Sequence, residues 1–100
     1  MLHIVNKSPF ERNGLKSCLR LAKPGSAILL IEDAAVAAVA GSAPAKDIAA
    51  RMGDFSFYVL GPDIDARGLG DKELVDGIKV VDYGGFVDLT VEQDTCQSWL

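Results

Sequence analysis

Histidine is almost missing from this chain: His3 is the single one, and cysteine occurs only at Cys18 and Cys96. Neither cysteine has a second Cys or a His at metal-ligand spacing, which excludes a zinc site built from this chain alone. Two cysteines in 100 residues also fall far below the density of a disulfide scaffold. A Ser–His–Asp relay cannot be argued around one histidine at residue 3. No run of Lys and Arg is long enough to follow a phosphate backbone, and the formal charge of −4 weighs against nucleic acid as a partner. The glycine-rich loops of a P-loop or a dinucleotide fingerprint are missing, so no cofactor is expected. No segment approaches the roughly 20 apolar residues that span a bilayer, and no basic stretch followed by an apolar run marks a secretory signal. The expected setting is the cytoplasm, away from membranes, with both thiols reduced.

What the chain has in quantity is apolar residues, 49% of the total. One hundred residues of this kind make one domain, 1–100, which buries roughly two-thirds of its unfolded surface. The arrangement of the apolar residues is more telling than their number. Residues 1–5 are apolar apart from His3 and short enough for a buried strand. Ser8, Pro9 and Glu11 then spell a helix start, with Ser8 as cap, Pro9 in the first turn and Glu11 positioned to close a capping box.

Strand and helix signals keep alternating. Pro24-Gly25 breaks the first helix. Ala27-Ile28-Leu29-Leu30-Ile31 is then a continuous apolar run of the kind found in strands covered on both faces. Residues 34–40 are helix formers by propensity, with Gly41 as a left-handed stop. Pro44 opens a further helix that carries Ile48 and Met52 one turn apart, and Gly53 ends it. Residues 54–60 are the most strand-like by residue type, and Gly61-Pro62 terminates them. The stretch 63–77 is polar and punctuated by glycine, with single helical turns expected at 64–67 and 72–75. Ile78-Lys79-Val80-Val81 forms a short strand, Asp82 caps a last helix containing Phe86, Val87, Leu89 and Val91, and 95–100 adds a final strand.

This alternation predicts a three-layer α/β fold of the flavodoxin-like kind. Its mainly parallel five-stranded sheet has helices on both faces, joined by right-handed crossovers. Ligands of such sheets gather at the carboxyl ends of the strands. The candidate functional loops are therefore 6–8, 32–33, 61–63 and 82–85. The first precedes a helix and carries Lys7, but lacks the glycines that let a backbone wrap a phosphate. Gly84 and Gly85 fit close packing at the start of the last helix.

Cys18 is the candidate catalytic residue, and two readings of it stand side by side. On a helical stripe with Gly14, Leu15, Leu21 and Ala22 it is a small core residue. As a sulfur nucleophile it would need exposure and a lowered pKa, yet it lies past the first helical turn, where the dipole helps most. Cys96 has no basic neighbour in sequence and reads as a bystander. His3, alternating with Leu2 and Ile4, reads as a hydrogen-bonded structural residue.

Several ordered motifs resemble the DsrH/TusB family. They are Met1-Leu2-His3-Ile4-Val5-Asn6-Lys7-Ser8-Pro9-Phe10, Leu29-Leu30-Ile31-Glu32-Asp33, and Tyr58-Val59-Leu60-Gly61-Pro62-Asp63 with Ala66-Arg67-Gly68-Leu69. Val80-Val81-Asp82-Tyr83, Gly85-Phe86-Val87-Asp88-Leu89-Thr90 and Gln97-Ser98-Trp99-Leu100 complete the set. The segment from Asn6 to Leu19, with its cysteine, is closer to DsrH than to TusB. After the Glu32-Asp33 pair the chain departs from the family, with Ala34-Ala35-Val36 where relatives carry a glycine, a larger residue and a tyrosine.

The resemblance implies the smallest of three related subunits in a DsrEFH or TusBCD complex, a dimer of heterotrimers. Its partners would be DsrE/TusD-like and DsrF/TusC-like subunits, with small sulfur-carrier proteins reached through the complex. Such complexes relay persulfide sulfur, either for 2-thiouridine at the tRNA wobble position or for sulfur oxidation. The principal sulfur-bearing cysteine belongs to the DsrE/TusD subunit, so this chain is expected to be an accessory, docking subunit of a sulfurtransferase complex, with Trp99 and Leu100 as interface anchors. The alternative is an independent persulfide-carrying sulfurtransferase using Cys18, which falls where DsrH-like members carry a cysteine.

Overall fold

In the computed structural model, which describes residues 1–93 and 95–99, five parallel strands lie in the order β4-β3-β2-β1-β5. They are β1 (Leu2–Val5), β2 (Ala27–Leu30), β3 (Ser56–Leu60), β4 (Lys79–Val81) and β5 (Cys96–Trp99). The three layers and the parallel sheet are as expected from the sequence. The strand order is distinct from the 2-1-3-4-5 of flavodoxin itself. Here the chain builds from β1 to β4 in one direction and then returns to place β5 on the free side of β1.

The two faces are covered unequally. Three α-helices, α1 (Gly14–Leu21), α2 (Ala43–Ala50) and α3 (Gly61–Ala66), together with the 3₁₀ helix Glu32–Ala38, pack on one face. Their Leu15, Cys18, Ile48 and Ile64 meet Val5, Ile28, Leu30, Phe57 and Val59 of the sheet. Among the described residues the other face has only α4 (Tyr83–Glu92), whose Leu89 and Phe86 cover Leu2, Ala27 and Leu29. Ile4, Ile31 and Tyr58 on that side remain half-buried. Burial of β2 on both faces explains its unbroken run of apolar residues.

Local chemistry moved some boundaries. The Ser8 hydroxyl accepts from the Phe10 N–H (3.2 Å) and the Ser8 carbonyl from Glu11 and Arg12, which makes a turn rather than a helix start. The helix begins only at Gly14, so Cys18 lies in its second turn. The helix expected over 34–40 is instead a 3₁₀ helix over Glu32–Ala38, and Gly41 takes the expected left-handed conformation (φ +87°). Gly61-Pro62 ends β3 but also opens α3 directly, because proline is as much at home in the first turn of a helix as after a strand. The Asp82 cap is as expected, its carboxylate accepting from Gly85 N–H at 2.7 Å.

Candidate functional site: strand-end loops and two thiols

The loops after β1, β2 and β3 lead to helices on one face, and the loop after β4 leads to α4 on the other. Between β3 and β4 the crossover therefore changes side, which is where α/β sheets open a crevice. A cavity of about 500 Å³ lies there, lined by Gly61, Pro62, Asp65, Val81, Asp82 and Gly85 among others. A Cβ on Gly85 would come within 2.9 Å of the Val81 Cβ, and one on Gly61 within 3.1 Å of a Val80 methyl. Both glycines are packing residues. The crevice carries two carboxylates and no cation, so it is unsuited to phosphate.

The other strand-end loops join through ion pairs. The Glu32 N–H donates to Asp63 Oδ2 at 2.6 Å, and the Arg67 guanidinium reaches Asp33 (2.9 Å) and Asp63 (3.5 Å). Glu32 holds φ +50°, the one non-glycine residue in the left-handed region among the described residues. Ser8, Phe10, Glu11, Asp33 and Arg67 border a shallow cavity of about 390 Å³ beside this network. The Asn6 side-chain oxygen is buried with no hydrogen-bond partner among the described residues. Three of the four candidate loops are thus linked, 32–33 with 61–63 through Asp63 and 61–63 with 82–85 across the crevice, while the fourth, 6–8, borders the 390 Å³ cavity through Ser8. Arg67, which ties the first group together, was not singled out from sequence, since its partner Asp33 lies on a different element.

The thiols are disposed differently. Cys18 is fully buried among the apolar side chains under α1, and burial pushes its thiol up to about 12. In this conformation it has neither the access nor the acidity of a sulfur nucleophile, and the candidate catalytic cysteine packs as a core residue. Cys96 is exposed on β5, across from Leu2, and both thiols are free. No group of three or more His, Cys, Asp or Glu among the described residues is placed to hold a metal ion. Among those residues, too, no helix is long and apolar enough to cross a membrane.

His3 and Trp99 meet far from these loops. The Trp99 indole N–H donates to His3 Nδ1 at 3.0 Å, and the rings are tilted with centroids 6.0 Å apart. His3 is the structural, hydrogen-bonded residue anticipated from its place in β1. Burial, and secondarily the ammonium at Met1, hold its pKa below the ordinary value of 6.5. Trp99 is half-buried against the core and already engaged within the chain, which weakens its expected service as a free interface anchor. Leu100, the other expected anchor, lies outside the described residues.

Comparison with known proteins agrees with this architecture. Two solved structures share the fold: the ychN protein from E. coli (TM-score 0.80, 20% identity, 98% of this chain and 97% of that one) and MTH1491, a protein of unknown function from Methanobacterium thermoautotrophicum (TM-score 0.74, 18% identity, 97% and 95%). Protein TusB of Pectobacterium parmentieri is 36% identical over 101 residues, covering 99% of this chain and all of that protein. Protein TusB of Erwinia tasmaniensis is 37% identical over 99 residues with the same coverage. Protein TusB of Salmonella dublin is 40% identical over 81 residues, 81% of this chain and 82% of that one. The family model described as DsrH like protein matches residues 7–96, and with relatives of this similarity over nearly its whole length the chain belongs to the DsrH/TusB family.

Proposed function

We propose that this chain is a single-domain, non-catalytic docking subunit of a cytoplasmic sulfur-relay complex. It assembles with DsrE/TusD-like and DsrF/TusC-like subunits into a dimer of heterotrimers, and the persulfide is carried on a partner's cysteine. Membership in the family points to the relay. The observation that favours the docking role is the state of Cys18, which is sealed in the core with its pKa raised to about 12. A thiol so placed is poorly equipped to turn over sulfur.

A second feature supports docking. Tyr83, Val87 and Val91 recur every fourth residue on α4 and are 62%, 58% and 77% exposed. They form an apolar stripe on the one helix that covers its face of the sheet alone. The TusB name of the relatives favours tRNA 2-thiouridine synthesis over sulfur oxidation as the pathway served.

The test is native mass spectrometry of the tagged chain recovered from its own cells, with and without reductant. A heterohexamer with two larger homologous subunits, and no reductant-sensitive sulfur on this chain, is the expected result. A homo-oligomer whose own chain gains a reducible sulfur would favour the independent carrier, with Cys18 reached through local opening of α1.

A further inference from the structure

A cavity of about 660 Å³ lies away from the strand-end loops. It opens between the carboxyl end of α1, the loop 23–26 and the outer strand β5, and its volume suits a small-molecule site. His3 and Ser26 are the buried polar residues of the described chain, 4% and 6% exposed, and both line this one hollow. The Ser26 backbone is already spent, its N–H on the Lys23 carbonyl (3.2 Å) and its carbonyl on the Ser56 N–H (3.1 Å). Its hydroxyl, and Nε2 of His3, have no protein partner among the described residues. Neither atom is sealed from water, since Asn6 Oδ1 is the one buried side-chain polar atom left without a partner among the described residues, so both are open to the hollow and free to bond an occupant.

The character of that occupant follows from the groups facing it. Because Nδ1 of His3 accepts from Trp99, the imidazole proton sits on Nε2, which makes Nε2–H a donor. The Ser26 hydroxyl and the Gln97 amide can donate too, and Lys23 adds a whole positive charge. No acidic residue lines the cavity, although the chain carries a net charge of −4. The carboxyl end of α1 contributes about half a negative charge, less than Lys23 supplies in the opposite sense. Leu21 and Trp99 give the hollow an apolar wall.

We propose that this cavity binds a small organic anion, a carboxylate or sulfonate head on an apolar body. The head meets Lys23, Ser26 and His3 Nε2–H, and the body lies against Trp99 and Leu21. The site is independent of the sulfur-relay reading and stands or falls separately from it.

Trp99 is the chain's single tryptophan, so its emission reports directly on this wall. The full chain is titrated with phenylacetate and with phenylacetamide, the same body without the charge. A saturable change is expected with phenylacetate below about 10 mM. The amide should bind about tenfold more weakly, since it loses the charge-assisted hydrogen bonds. Lys23→Glu, at an exposed position, should weaken phenylacetate about tenfold by like-charge repulsion, and Lys23→Met should weaken it in the same direction. No saturable change up to about 10 mM overturns the proposal. So does an amide or Lys23→Glu ratio below about threefold, since that is within reach of an exposed charge pair without a site.

Discussion

The backbone N–H of Glu32 is held by the Asp63 carboxylate at 2.6 Å, and Glu32 takes up a left-handed conformation at that point. The contact joins the end of β2 to the first turn of α3, and Arg67 completes it by pairing with both Asp33 and Asp63. Asp63→Ala removes the acceptor and one side of the ion-pair network. The expected loss is about 1 kcal/mol, a hydrogen bond to a charged group discounted for partial exposure. Glu32→Gly has the opposite tendency. It relieves a backbone cost of about 1–2 kcal/mol and gives part of that back as unfolded-chain entropy. Urea denaturation of both variants checks the pair, and a Glu32→Gly protein less stable than the parent would refute the strain argument.

Cys18 and Cys96 should part company towards thiol reagents. A thiol pushed up to about 12 by burial is almost wholly protonated at neutral pH, and it is also out of reach. Native protein at pH 7.5 should therefore take up one label, on Cys96, and a second only after unfolding. Cys18→Ser should destabilise the fold by about 1–3 kcal/mol, because it exchanges a soft apolar group for a buried hydroxyl. Cys18→Ala should cost less. Rapid labelling of Cys18 in the native chain would mean that α1 opens readily, and would revive the independent carrier.

His3 supplies an acid-side sensitivity. Its folded pKa lies below its ordinary 6.5, so between the two values the unfolded chain binds more protons than the folded one. Its contribution is thus fully present above 6.5 and is lost as pH falls through the folded value. Protonation also puts a second N–H opposite the Trp99 indole, in place of the acceptor that holds it. Melting temperature should decline on acidification below pH 6.5. His3→Asn, whose amide oxygen can still accept from Trp99, should flatten that decline. An equally steep decline in the variant would assign it to other groups.

Some of this was legible in the chain and some was not, for identifiable reasons. Continuous runs such as Ala27-Ile28-Leu29-Leu30 gave the strands away because burial on both faces leaves no polar position in them. Asp82 was readable as a cap because capping is local, one carboxylate against Gly85 three residues on. The same local reasoning misplaced the start of α1, where Asn13-Gly14 interrupts what Ser8-Pro9 begins. The His3–Trp99 pair, 96 residues apart, exists only because β5 returns to the free side of β1. No periodicity records that return, and so the polar cavity beside it was invisible until the strands were in order. Arg67 was hidden for the same reason, since Asp33 lies 34 residues away.

The exposed stripe on α4 gives the cleanest test of docking. Deleting 97–100 is a poor probe, since it removes Trp99, the partner of buried His3, along with most of β5. Val87→Asp acts on the surface alone: Val87 is exposed, whereas the helix is anchored through Leu89 on its buried side. A charge in the middle of an apolar stripe leaves the isolated chain's stability within about 0.5 kcal/mol, as for other surface substitutions. At a desolvated interface the same charge should cost about 2–4 kcal/mol, or roughly 30- to 1,000-fold in affinity. Co-purification with the larger subunits should therefore collapse while the melting temperature of the free chain is unchanged. Undiminished co-purification of Val87→Asp would show that the subunits meet elsewhere, with the half-covered sheet face around Ile4 and Tyr58 the next surface to probe.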